Sequence, residues 1–242
     1  MDRWQEESRR TFLRTAAAMS GGLLLAGCAA AGGSTGGHVE EHHEPHGEEG
    51  ISPAEDLMRE HGMLKRVLLI YGEAVRRIEL GEELPPGPLA DAAGIIRSFI
   101  EDYHEKIEEG FVFPRFRKAN KLVDLVDVLL EQHRAGRRLT DTTLRLANAQ
   151  ALASAAQRQA LAGTLRSFVR MYNPHEARED TVLFPAIREI MTADEYGDLG
   201  EEFEDKEHEM FGEGGFQKMV ERVAAIEQAL GIYDLRQFTP KG

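Results

Sequence analysis

The chain has 242 residues, 42% of them apolar, and a formal charge of −13; this fits one domain with additions or two small ones and supplies enough apolar mass for a core. Such a charge repels phosphate backbones, so no nucleic-acid partner is expected, whereas acids set beside imidazoles suit cations. Cys28 is the lone cysteine, so no internal disulfide can form and rigidity has to come from packing or from metal.

Residues 1–27 read as an export signal. Ser8-Arg9-Arg10-Thr11-Phe12-Leu13-Arg14 is a charged start, and the small-residue apolar run from Thr15 to Gly27 is too short to cross a hydrocarbon core of roughly 30 Å as a helix. The segment resembles a twin-arginine signal, which implies a periplasmic protein or one on the outer face of the cell membrane. Leu25-Ala26-Gly27-Cys28 resembles a lipoprotein cleavage box, so membrane contact is expected only through a lipid on Cys28; plain cleavage near Ala29 to Ala31 is the alternative. Residues 28–52 are Gly-rich, then His- and Glu-rich, without apolar periodicity, and are expected to form a disordered tether. His38, His42, His43 and His46 there read either as loose metal capture or as plain solvated linker.

Residues 53–192 carry the pattern of an all-α, up-down-up-down four-helix bundle, followed by a C-terminal helical extension over 193–242. Ser52-Pro53 is an N-cap with proline at the first helical position. From there Leu57, His61, Leu64, Leu68, Tyr71, Val75 and Ile78 recur at three- and four-residue steps up to Gly81. A second helix from about Leu89 to Lys118 carries Phe99, Tyr103, His104, Glu108 and Phe111. The third, about Lys121 to Ala149, sets Leu125, Leu129 and His133 on one face. The fourth runs from about Ser154 to Met191, with a kink expected at Asn173-Pro174.

An internal repeat ties these helices together. His104 to Pro114 reads HEKIEEGFVFP and His175 to Pro185 reads HEAREDTVLFP. In a helix, positions four apart share a face, so His104 with Glu108 and His175 with Glu179 each aim an imidazole and a carboxylate at one point. Such a pair alone is usually a surface ion pair. Two copies, plus an inward histidine on each remaining helix, give four imidazoles and two carboxylates facing a core, and an unpartnered buried carboxylate costs more than a domain's net stability. A cation answers that cost. Imidazole and carboxylate without thiolate fit iron, manganese or zinc, and matched carboxylates on two helices can bridge two ions about 3.5–4 Å apart.

His61, His104-x3-Glu108 with Phe113-Pro114, His133, and His175-x3-Glu179 with Phe184-Pro185, in this order over about Pro53 to Met191, resemble the hemerythrin-like, or HHE cation-binding, family. The resemblance implies a non-haem centre of two iron ions with terminal histidines and two bridging carboxylates, holding dioxygen or a related small ligand such as nitric oxide or peroxide. Glu108 and Glu179 are the implied bridges, with Asp180 an alternative to Glu179. One departure is Arg137, which stands where oxygen-carrying members place a further histidine. An arginine has no lone pair to offer a metal; it pairs with a nearby acid or anion, or covers the bundle end. His208 or Glu204, on the helix expected to start at Thr192, could complete the site in its place, or that helix is a surface element. Tyr103 and Tyr172 read as packing residues. Oxygen carriage is the first reading, a di-iron oxidase or peroxidase the second and iron storage a third. The ferritin-like arrangement fits poorly, since Glu101-x-x-His104 is its one match within the bundle.

Overall fold

A computed structural model describes residues 51–240, and every regular element among them is helical. The export segment, the lipid-acceptor reading of Cys28 and the tether up to Gly50 lie outside the described residues. No helix among the described residues is long and apolar enough to cross a membrane.

Helix α1, Pro53–Leu80, starts where the Ser52 side chain accepts the Glu55 N–H and stops at Gly81, whose φ of 69° is a left-handed conformation that costs glycine little. Its apolar stripe, Leu57, Leu64, Leu68, Tyr71, Val75 and Ile78, is buried throughout, and each such side chain contributes about 1.5–3 kcal/mol by leaving water. Helix α2 spans 86–118. It begins as Pro86–Ile95, widens over Ile96–His104, tightens at Glu105–Ile107, widens again over Glu108–Val112 and ends as Phe113–Lys118. Helix α3, Val123–Leu146, follows a sharp turn in which Asn120 and Leu122 both adopt positive φ. After a short helix at Ala149–Ala153, helix α4, Ala155–Arg178, runs through Pro174 without leaving the α form. Its change of pitch comes later, at Glu179–Leu183, beyond the kink anticipated at Asn173-Pro174.

The two widened turns after the repeat histidines share a cause. Pro114 and Pro185 bring no N–H to the helix ladder, and the residue ahead of each bonds back five positions instead of four: Phe113 to the Glu108 carbonyl and Phe184 to the Glu179 carbonyl. The Phe-Pro pair of the repeat is therefore the local signal for a π-turn that opens at each inward glutamate.

Helix α4 packs against both α1 and α3, and α2 packs against α1 and α3, so the four long helices enclose a shared interior. Two more helices, α5 at Ala193–Phe211 and α6 at Gly215–Ala229, lie against α1 and α2. Thr192 and Glu195 close the start of α5 with a reciprocal capping box. Leu199, Phe203 and Val223 from this pair are fully buried, and Phe211 packs tilted against Phe99 and edge-on to Tyr103. The extension thus completes the core on the α1–α2 side.

Candidate metal centre

Four histidines, one from each long helix, meet in two pairs. His61 Nε2 lies 3.0 Å from His104 Nε2, and His133 Nε2 lies 3.3 Å from His175 Nε2. Between the pairs stand Glu108 and Glu179, both wholly inaccessible to solvent. Glu108 Oε2 is 3.7 Å from His104 Nε2 and 3.4 Å from His133 Nε2, while Glu179 Oε2 is 3.4 Å from His61 Nε2 and 3.1 Å from His175 Nε2. Each carboxylate therefore reaches across to both histidine pairs.

An outer ring of acceptors sets the tautomers. His61 Nδ1 faces Asp180 Oδ1 at 2.7 Å, His104 Nδ1 faces Glu60 Oε2 at 2.8 Å, His133 Nδ1 faces Glu109 Oε1 at 3.1 Å and His175 Nδ1 faces the Gln132 amide oxygen at 2.8 Å. An acceptor opposite Nδ1 keeps the proton there, which leaves the Nε2 lone pair pointing inward, as a metal ligand requires.

The residues fit a cation on three grounds. Two Nε2 lone pairs face each other at 3.0 and 3.3 Å, close to the ~3.0 Å between two nitrogen ligands held at right angles about 2.1 Å from one ion. Neither oxygen of Glu108 or of Glu179 has a hydrogen-bond partner among the described residues, and such buried acceptors are rare without one. The donor set also holds nitrogen and oxygen in the proportions that first-row divalent ions accept.

Titration behaviour shows the same frustration when protons stand in for metal. Burial pushes the His104 imidazole down to about 4, whereas on His61 burial is outweighed by the nearby carboxylates of Asp180 and Glu179, which push it up to about 10; one proton fits between two facing rings. Burial likewise favours a neutral His133, but the neighbouring carboxylates of Glu108 and Glu109 prevail and push it up to about 10. Glu108 is pushed up by burial and by the Glu179 charge, and Glu179 is held well below the carboxylate range because His175 and His61 outweigh its burial.

Arg137 is not a ligand and not a loose cover. Its Nη2 lies 2.6 Å from Glu105 Oε2 and donates to Glu109 Oε1 at 2.7 Å. Glu105 is buried and also accepts the Tyr172 hydroxyl at 2.6 Å. Gly136 makes room for that hydroxyl, since a Cβ there would stand 2.0 Å from Tyr172 Oη. Tyr172 thus does more than pack. Glu101 of the ferritin-like reading points away from the centre, to an ion pair with Arg97 at 2.8 Å.

Six of the seven expected ligands are brought together; His208 is not. It is exposed on α5, because the buried stripe of that helix is Tyr196, Leu199, Phe203 and Glu207, which turns His208 outward. Glu204 is exposed as well. The acid α5 does send inward is Glu207, grouped with Asp56 and Glu60. Asp180 is displaced from the bridging role to the outer ring behind His61. The sequence reading missed Glu60, Gln132, Glu109 and Lys65. A signal for them existed: Glu60-His61-x3-Lys65 in α1 is echoed by Gln132-His133-x3-Arg137 in α3, and Lys65 pairs with Glu176 at 2.5 Å as Arg137 pairs with Glu105. The repeat extends to all four helices.

A helical bundle whose interior gathers histidines and glutamates into clusters able to hold a metal defines a metal-binding protein. The chain belongs to the hemerythrin family: the model of the hemerythrin HHE cation-binding domain matches residues 52–187, and again, in an overlapping second match that starts in α3, residues 124–229. It is 52% identical over 196 residues to the uncharacterized proteins Mb2018 of Mycobacterium bovis and Rv1995 of Mycobacterium tuberculosis, covering 81% of this chain and 77% of each relative. No solved structure matches significantly.

Proposed function

We propose that this protein holds two iron ions in an up-down-up-down four-helix bundle and binds dioxygen, or a related small ligand such as nitric oxide or peroxide, at that centre. The observation that carries this reading is the pair of buried carboxylates, Glu108 and Glu179, each within 3.7 Å of a histidine from both pairs. One cation at His61 and His104 and another at His133 and His175 would share both carboxylates. When bound, such an iron pair supplies one-electron chemistry at two adjacent ions and a place for a small ligand.

The protein's own residues hold and insulate that site. The outer acceptors orient the four rings. Phe184 stacks on His61 and Phe113 on His133 at ring separations of 5.3 and 5.6 Å, and these apolar walls exclude water from the imidazole faces. Arg137 sets one positive charge between Glu105 and Glu109, so the negative charge beside His133 is lowered without adding a ligand.

An oxidase or peroxidase is the second reading, favoured by Arg137 in place of a further imidazole, since each ion then has only two histidines beside the shared acids. Anaerobic reconstitution with ferrous iron separates the readings. About two irons per chain and a visible band that returns through cycles of oxygen removal support carriage; loss of the band with turnover of peroxide supports an enzyme. Iron far above two per chain would point to storage and overturn both. Export by the Arg9-Arg10 segment, with acylation of Cys28, is proposed from the sequence, and fractionation with intact-mass measurement of the mature chain tests it.

A further inference from the structure

We infer that the two cation positions are unequal: the one at His61 and His104 binds more tightly, and the one at His133 and His175 fills last and empties first. This rests on the two-cation reading above.

The ligand types do not distinguish the positions, although Glu108 lies 3.4 Å from His133 against 3.7 Å from His104, and Glu179 3.1 Å from His175 against 3.4 Å from His61. Each has two imidazoles through Nε2, and Glu108 and Glu179 are common to both. The flanking ion pairs also match, and each joins the two halves, Lys65 with Glu176 and Arg137 with Glu105. What differs is the outer ring. An acceptor opposite Nδ1 that carries negative charge draws the ring proton and makes Nε2 a stronger donor, and a neutral acceptor does so less. His61 and His104 are both backed by carboxylates, Asp180 at 2.7 Å and Glu60 at 2.8 Å. On the other side His175 is backed by a neutral amide, Gln132, at 2.8 Å. His133 has a carboxylate, Glu109, but at 3.1 Å, and Glu109 also accepts from Arg137 at 2.7 Å and from Lys106 at 2.8 Å.

The decisive contrast is one residue, Glu60 against Gln132, each immediately before the first histidine of its half.

Cobalt(II) is the probe. The full chain, stripped with a chelator, is titrated and followed by visible absorption with a competing chelator present. Two stoichiometric steps at least about tenfold apart are expected. Gln132→Glu should tighten the second step and narrow the gap. Asp180→Asn should weaken the first by about 10–100-fold, the range for outer partners of metal ligands, and leave the second within about threefold. Both positions lie at the edge of the core, half-buried, so isosteric changes there keep the fold, checked by circular dichroism. Two equal steps, or Gln132→Glu acting on the first step, would sink the inference while sparing the two-cation reading. Absence of stoichiometric cobalt would sink both.

Discussion

The α1–α2 half of the centre and the α3–α4 half are built on one plan and differ in what stands behind it. In both, a histidine and the glutamate four residues on face inward and a π-turn opens at that glutamate, while matching ion pairs tie the halves together, Lys65 of α1 to Glu176 of α4 and Arg137 of α3 to Glu105 of α2. The acid five residues after each repeat histidine also has one job, to orient the histidine of a neighbouring helix: Glu109 for His133 and Asp180 for His61. Against this constancy, Glu60 faces Gln132 in the plan, and Glu101, paired with Arg97, faces Tyr172, bonded to Glu105. In the two-ion reading proposed above the carboxylates would serve both ions, whereas each outer acceptor faces one histidine, so a change at an outer position alters one half alone.

The strongest way to break the comparison is at the shared carboxylates. Glu108→Gln and Glu179→Gln should each reduce bound metal by more than the roughly 10–100-fold that an outer partner is worth, and to a like extent, as read by metal content after equilibrium dialysis; retention of one tight ion in either variant would mean that the carboxylates are not shared. Next come the two flanking cations. Arg137→Ala strands the buried Glu105 and should cost roughly 2–3 kcal/mol, approaching the value for breaking a buried pair. Lys65 is half exposed although its partner Glu176 is buried, so Lys65→Ala opens that acid to water and should cost less, roughly 1–2 kcal/mol. Urea unfolding of the two variants measures the difference, and equal losses would refute it.

A smaller effect depends on pH. Burial pushes the Glu101 carboxyl from an ordinary 4.5 up to about 7, so the fold favours its protonated form. That contribution is whole below pH about 4.5 and is lost as pH rises through about 7. Glu101→Gln, a fixed stand-in for the neutral acid, should track the parent near pH 4 and exceed it by roughly 1–3 kcal/mol at pH 8. Denaturation midpoints at the two pH values check the sign, and a variant weaker at pH 8 would reverse it. Least of all, His208→Ala should leave metal affinity within about twofold, since the residue is exposed on α5 and makes none of the approaches on which ligand strength depends.

Much of the fold was legible because helix periodicity and caps are local. Ser52-Pro53, Gly81, Ser154 and Thr192 mark helix boundaries that the structure places at or next to them. The convergence of His61, His104, His133 and His175 was legible because a repeated motif restricts which faces turn inward. The role of Arg137 was not. Position four past His133 puts it beside the centre, but only the buried Glu105 of another helix decides where its guanidinium goes. His208 misled for a related reason: with Glu204 it forms the four-residue spacing of a ligand pair, yet the apolar stripe of α5 turns that face to solvent. The widened turns were hidden because regular rotation was assumed through Phe-Pro, where proline's missing N–H changes the ladder.

By itself the amino-acid order determined the helical class and the chemical types gathered inside, since burial periodicity and the cost of a bare interior charge act within one helix at a time. Tertiary packing alone decided that His61 partners His104 and His133 partners His175, that Glu179 and not Asp180 stands between them, and that the two halves have different backing. Those outcomes depend on how helices rotate against one another, over distances of a few ångströms, which spacing along a single chain does not encode.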